Sequence, residues 1–187
     1  MTRHALALAV CLFAAAPVSA QAIDYRVLAT SKTSTMEGEM NDAGAMGFKF
    51  VSVMGGETAG GSEVVVLMQK GGAIPEGNYR YKLLATSKTS TMQREMSDAA
   101  QGGYDYVGQT VFSSAFGGDE VVSIVERTSA SVAGSQYAYR LVATSKTSTL
   151  QKEMNDLARD GFSALGMTVG NTALGGSELV VIARKKR

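Results

Sequence analysis

The chain has 187 residues, of which 45% are hydrophobic and 19% charged, with a formal net charge of +1. That balance supports a folded core and excludes both a charge-rich disordered chain and a strongly basic nucleic-acid binder. Length alone sets one or two domains as the starting expectation.

Arg3 and His4 precede an apolar run over residues 5–16, and Val18-Ser19-Ala20 supplies small residues before Gln21. This is the pattern of a signal peptide over residues 1–20, and it predicts a periplasmic or secreted protein. The run is too short to span a membrane, so no transmembrane segment remains once it is removed. Cys11, after Leu8-Ala9-Val10, leaves a lipoprotein as the alternative, with Val10 larger than the residue that usually precedes a lipidated cysteine. Cys11 is the only cysteine and His4 the only histidine. A mature chain lacking both excludes zinc sites with N or S ligands, Cys or His nucleophiles and Ser-His-Asp arrangements. It must also be stable without disulfides.

The rest of the chain repeats. Ala29-Thr30-Ser31-Lys32-Thr33-Ser34-Thr35 recurs unchanged at residues 85–91 and 143–149. The surrounding sequence follows it, giving repeats over residues 23–70, 79–127 and 137–185 joined by short connectors rich in Gly, Ser or Ala. Each repeat opens with a strand: Tyr25-Arg26-Val27-Leu28-Ala29, Tyr81-Lys82-Leu83-Leu84-Ala85 and Tyr139-Arg140-Leu141-Val142-Ala143. After the polar loop, apolar residues at i, i+4 and i+7 predict a helix: Met36, Met40, Ala43; Met92, Met96, Ala99; Leu150, Met154, Leu157. The methionines on this stripe read as core filling. Ser34 with Glu37, Ser90 with Gln93 and Ser148 with Gln151 fit capping boxes, and Gly47, Gly103 and Gly161 fit left-handed helix ends.

An aromatic residue and a second strand come next, beginning Phe48-Lys49-Phe50-Val51, with Tyr104 and Phe162 opening the equivalents. Turns at Gly60-Gly61, Gly117-Gly118 and Gly175-Gly176 lead to the most apolar strand, such as Val64-Val65-Val66-Leu67-Met68. Continuous apolar character means burial on both faces, so this strand belongs at the centre of its sheet. The fold class is therefore α+β: three tandem β-α-β-β repeats, each a three-stranded sheet with one helix. A unit this small is marginal alone, and one helix covers only one sheet face. Packing of the three sheets with pseudo-threefold symmetry is the expected solution, with pairing between chains as the alternative.

The helix, the Gly-aromatic step and the closing strand, as in Glu39-Met40-Asn41, Gly47-Phe48-Lys49-Phe50-Val51 and Glu63-Val64-Val65-Val66-Leu67, resemble the small bacterial family called domain of unknown function 4177. That family shows Gly-Trp-Glu-Leu-Val where this chain has Gly-Phe-Lys-Phe-Val, Gly-Tyr-Asp-Tyr-Val and Gly-Phe-Ser-Ala-Leu. The resemblance covers each repeat. It implies a fold and no activity.

The candidate ligand-binding residues are those of the polar loop: Ser31, Lys32, Thr33 and Ser34; Ser87, Lys88, Thr89 and Ser90; Ser145, Lys146, Thr147 and Ser148. Placed before a helix, they combine hydroxyls, a cation and unpaired backbone N–H groups, a set suited to phosphate, sulfate or carboxylate. Capping and recent duplication explain the same residues without a ligand. The helix acids Glu39 with Asp42, Glu95 with Asp98 and Glu153 with Asp156 read as a solvated face. Glu63, Glu120 and Glu178 mark strand entry, and Arg184-Lys185-Lys186-Arg187 reads as a solvated tail. No catalytic, metal or cofactor-binding set emerges. The expectation is a non-enzymatic binding or structural module for an unknown ligand or envelope protein. It carries no nucleic-acid signature, and a homo-oligomer is open. A small-anion binder is the first alternative and a hydrolase using Ser, Thr, Lys and carboxylates the second.

Overall fold

A computed structural model of the chain describes residues 22–187 apart from 115–117, 132, 135 and 172–175. The expected signal segment over residues 1–20, and Gly117 and Gly175 of the expected turns, lie outside the described residues. Repeat 1 comprises β1 (Asp24–Thr30), α1 (Thr33–Ala45), β2 (Lys49–Thr58) and β3 (Gly61–Lys70). Repeat 2 comprises β4 (Tyr79–Thr86), α2 (Thr89–Gln101), β5 (Asp105–Ser114) and β6 (Gly118–Thr128). Repeat 3 comprises β7 (Tyr137–Thr144), α3 (Thr147–Arg159), β8 (Ser163–Asn171) and β9 (Ser177–Lys186).

The sheets are ordered β1-β3-β2, β4-β6-β5 and β7-β9-β8, so the apolar third strand of each repeat is central as its composition requires. All pairings are antiparallel. Each second strand carries a register shift near its start, between Phe50 and Ser52, Tyr106 and Gly108, and Ala164 and Gly166. These bulges bend the strand and leave one residue of each, Val51, Val107 and Leu165, without a register partner. Each helix ends as read from the sequence: Gly47, Gly103 and Gly161 take φ of 88°, 79° and 84°, a region that favours glycine.

The core lies between repeats. One cluster joins Met36, Met40, Val64 and Val66 of repeat 1 to Tyr81 and Ile124 of repeat 2. A second joins Met92, Met96, Val121 and Val125 of repeat 2 to Val180 and Ile182 of repeat 3. The central strand β6 therefore feeds both clusters, with Val122 and Ile124 on one side and Val121 and Val125 on the other. This is the cover that a lone repeat lacks. The helices take part in it, because α1 packs more extensively on β4 than on its own β1 or β3, and α2 likewise on β7.

The same relation thus carries repeat 1 onto repeat 2 and repeat 2 onto repeat 3. No comparable packing joins α3 to β1 among the described residues. The expected pseudo-threefold closure is accordingly replaced by an open head-to-tail series. The reason is geometric: a heterologous contact closes into a ring only if its rotation returns to the start.

Candidate functional site

The three polar loops have one local structure. The Oγ1 of Thr30, Thr86 and Thr144 accepts the backbone N–H of Lys32, Lys88 and Lys146 at 3.3, 3.1 and 3.3 Å. Each Lys is the N-cap residue, in extended conformation, and its carbonyl accepts the first helical bond from Met36, Met92 or Leu150 at 3.0 Å. No side chain caps any of the helices. Ser34, Ser90 and Ser148 lie inside the first turn, so the expected capping boxes do not form. Their Glu and Gln members point elsewhere, as described below.

Ser31, Lys32, Ser34, Lys88, Ser90, Ser145, Lys146, Thr147 and Ser148 are exposed; Thr33, Ser87 and Thr89 are half-buried. No hydrogen bond or ion pair joins one loop to another among the described residues. The depression beside Thr33 and Ser34 is also lined by Glu37 and Glu95, which disfavour an anion. The one beside Ser87, Lys88 and Thr89 has a volume of about 10 Å³, at the lower limit for a single water. Each loop therefore stands alone at its own helix start.

The polar side chains that do converge lie at the repeat junctions. At the first, the Glu37 carboxylate accepts the Leu83 N–H at 2.8 Å, and Asn41 bonds both the N–H and the carbonyl of Tyr81 at 3.0 Å each. The outer edge of β4 is thus capped by side chains of α1. At the second junction Gln93 does both tasks, accepting the Leu141 N–H at 2.8 Å and donating to the Tyr139 carbonyl at 3.0 Å. Ser97 stands where Asn41 stands in repeat 1 and is too short to reach; it bonds the Gln93 carbonyl instead.

A tyrosine completes each junction. The Tyr81 hydroxyl accepts the N–H of Phe50, beside the bulge, at 2.9 Å and donates to Glu126 at 3.0 Å. The Tyr139 hydroxyl accepts the Tyr106 N–H at 3.0 Å and donates to Asp105. Burial first, and the nearby Glu126 second, push the Tyr81 hydroxyl pKa up, so it stays protonated. Burial also lifts Tyr106, to about 12.

An ion pair flanks each tyrosine, and the two pairs run in opposite senses. Lys49 of repeat 1 faces Glu126 of repeat 2 at 3.7 Å. Asp105 of repeat 2 pairs with Arg184 of repeat 3, with Nη1 at 2.6 Å from Oδ1. Burial raises the Glu126 pKa, an effect that Lys49 and the Tyr81 hydrogen bond oppose. Burial works against the Arg184 charge, but hydrogen bonding and attraction to Asp105 outweigh it. Arg184 is thus no solvated tail: β9 continues to Lys186 and carries it into the junction.

The composition of the loops gave no sign of these contacts. The signal available was positional, since a helix residue such as Glu37 lies one turn beyond the Lys, on the side that must face another repeat. Of the helix acids, Asp42, Asp98, Glu153 and Asp156 are exposed while Glu39 and Glu95 are half-buried, and no group of three or more His, Cys, Asp or Glu is placed to hold a metal among the described residues. No helix among them is long and apolar enough to cross a membrane. Against family models, curated proteins and solved structures, the chain finds no match.

Proposed function

We propose that the chain is an exported structural or binding module that acts through its surfaces and catalyses no reaction. The observation supporting this reading is where its converging polar groups are used. Tyr81, Glu126, Gln93, Tyr139 and Asp105 are engaged in holding one repeat on the next, and of these only Asp105 also borders a depression, of about 230 Å³, among the described residues. Export rests on residues 1–20, and removal of Cys11 and His4 takes away the only thiol and the only imidazole, the commonest general base.

A thermal-shift screen of the chain from Gln21 onward tests the module reading, since a native-state ligand raises stability by mass action. Stabilisation by a cell-wall fragment or an envelope protein, without turnover, is the expected result. Hydrolysis of ester, phosphate-ester or glycoside probes by the purified chain overturns it. Mass spectrometry of exported material tests the export step: a start near Gln21 or Ile23 is expected, and a lipid-modified Cys11 overturns it.

A second reading has one observation in its favour. All three helices begin at an exposed Lys with no side-chain cap, which leaves first-turn N–H groups beside a cation. An anion site there predicts a saturable shift with sulfate or phosphate that is lost in the Lys32→Gln, Lys88→Gln, Lys146→Gln variant. An equal shift in parent and variant, or none in either, ends that reading.

A further inference from the structure

Each junction inside the chain has two unlike halves. One is a helix side: the apolar stripe of the helix, the groove beside it, and the start of the second strand. The other is an edge side: the free edge of the following repeat's first strand, with its tyrosine. Repeat 3 presents a helix side, and repeat 1 an edge side, that are unoccupied among the described residues.

Exposure shows this directly. Tyr81 and Tyr139 are 1% and 5% exposed, whereas their counterpart Tyr25 is 57% exposed. Val27, the counterpart of half-buried Leu83 and Leu141, is 64% exposed. Met36 and Met40 are fully buried, but no residue of α3 is. A groove of about 600 Å³ runs beside α3, lined by Leu150, Gln151, Met154, Leu165, Met167 and Val181. In repeats 1 and 2 the equivalent space is filled by the next repeat.

We propose that these two faces mate between copies of the chain, so that α3 of one copy lies along the β1 edge of the next, head to tail. The inference rests on the module reading and names its partner as a second copy. It continues, across the ends, the interface already formed twice within the chain.

Three further features fit the two ends to each other. The first is hydrogen bonding. Gln151 and Asn155 stand where Glu37 and Asn41 stand, and among the described residues their side chains bond each other, at 3.2 Å. Across a third junction they would meet the Val27 N–H and the Tyr25 backbone, while the Tyr25 hydroxyl would reach the bulge at Ala164.

The second is shape. At the internal junctions an aromatic meets a glycine: a Cβ on Gly108 would fall 2.6 Å from Phe50, and one on Gly166 would collide with the Tyr106 hydroxyl. The corresponding pair at the ends is Ala164 and Ser52. The small residue has changed sides, so the Ser52 side chain has room.

The third is charge. The positions that form the ion pairs Lys49–Glu126 and Asp105–Arg184 are Ser163 and Gln69 at the ends. At these two positions a third junction would bring no charge into the contact.

Sedimentation velocity on the chain from Gln21 onward tests the inference, with Val27→Asp and Met167→Asp as blocking variants. Both positions are exposed, at 64% and 62%, so the fold should be retained, which circular dichroism checks. The parent is expected to associate with rising concentration, as a ring or as a growing filament. Each variant alone should be monomeric. An equimolar mixture should form a discrete 1:1 pair, because each variant keeps the face that the other lacks. A parent that stays monomeric at every concentration overturns the inference. So does association that survives both variants, or a mixture that stays monomeric, which would indicate like-to-like pairing. The ligand and turnover measurements above decide the module reading separately, whatever the sedimentation result.

Discussion

Tyr81 leaves its own repeat to accept the backbone N–H of Phe50 at 2.9 Å, beside the bulge of the preceding sheet. The same hydroxyl donates to Glu126 at 3.0 Å, so one oxygen serves two repeats. Tyr81→Phe keeps the ring and removes both bonds. A buried donor left unmade costs about 1–3 kcal/mol, and a loss of that size is expected in urea unfolding. Tyr25→Phe, at an exposed position, should leave the monomer's stability unchanged.

Glu126 makes stability depend on pH. Burial holds its pKa above the ordinary carboxylate value of 4.5, so between the unfolded and folded values the folded chain binds more proton than the unfolded chain. The associated stability is complete below the unfolded value and is lost as pH rises through the folded one. Unfolding free energy should therefore fall as pH increases above about 4.5. Glu126→Gln should flatten that dependence, and an unaltered slope in the variant would show that another group causes it.

Ser123 lies at the centre of β6, fully buried, with its hydroxyl lacking a hydrogen-bond partner. Val66 and Val181 hold the equivalent places in the other repeats. Ser123→Val should stabilise the chain by about 1 kcal/mol, since an unsatisfied buried hydroxyl is replaced by apolar volume. A lower midpoint in denaturant would contradict this.

The helix starts give a contrasting set. Because no serine caps its helix, Ser34→Ala, Ser90→Ala and Ser148→Ala should each change stability by no more than about 0.5 kcal/mol. Loss of about 1 kcal/mol apiece would mean that capping operates after all.

The second junction can be exchanged for the first in its electrostatics. Asp105→Lys alone places a cation against Arg184 and should destabilise the chain, as should Arg184→Glu alone against Asp105. The double variant restores an opposite pair in the sense of Lys49 and Glu126, and should recover much of the loss. A double-mutant cycle measures the coupling. Additive losses would mean that the pair contributes nothing.

Strand order and helix position were legible because they follow from local signals. The apolar run at Val64-Val65-Val66 demanded a central strand, and Met36, Met40 and Ala43 demanded a buried helix face. Gly47 marked a helix end because only its backbone freedom suits that turn. Stacking was less legible. Symmetric closure and an open series bury the same residues in the middle repeat and differ only at the ends, where Tyr25 and Tyr139 look alike in sequence. The junction groups were hidden for another reason. Glu37 fits a capping box as well as it fits an edge cap, and only the path of α1 over β4 separates the two. Arg184, in a run of four basic residues, carried no local mark of its pairing with Asp105.

The opposed charges at the two junctions bear on how such a chain can be inherited. A seven-residue stretch, Ala-Thr-Ser-Lys-Thr-Ser-Thr, is identical in every repeat, and misaligned recombination there would delete or add one whole repeat. Loss of the middle repeat would set Lys49 against Arg184, and its doubling would set Asp105 against Glu126. Either product has like charges at a partly buried contact. The alternation of sign therefore disfavours exchange between the second and third copies of the stretch, whereas exchange between the first and second leaves Asp105 opposite Arg184.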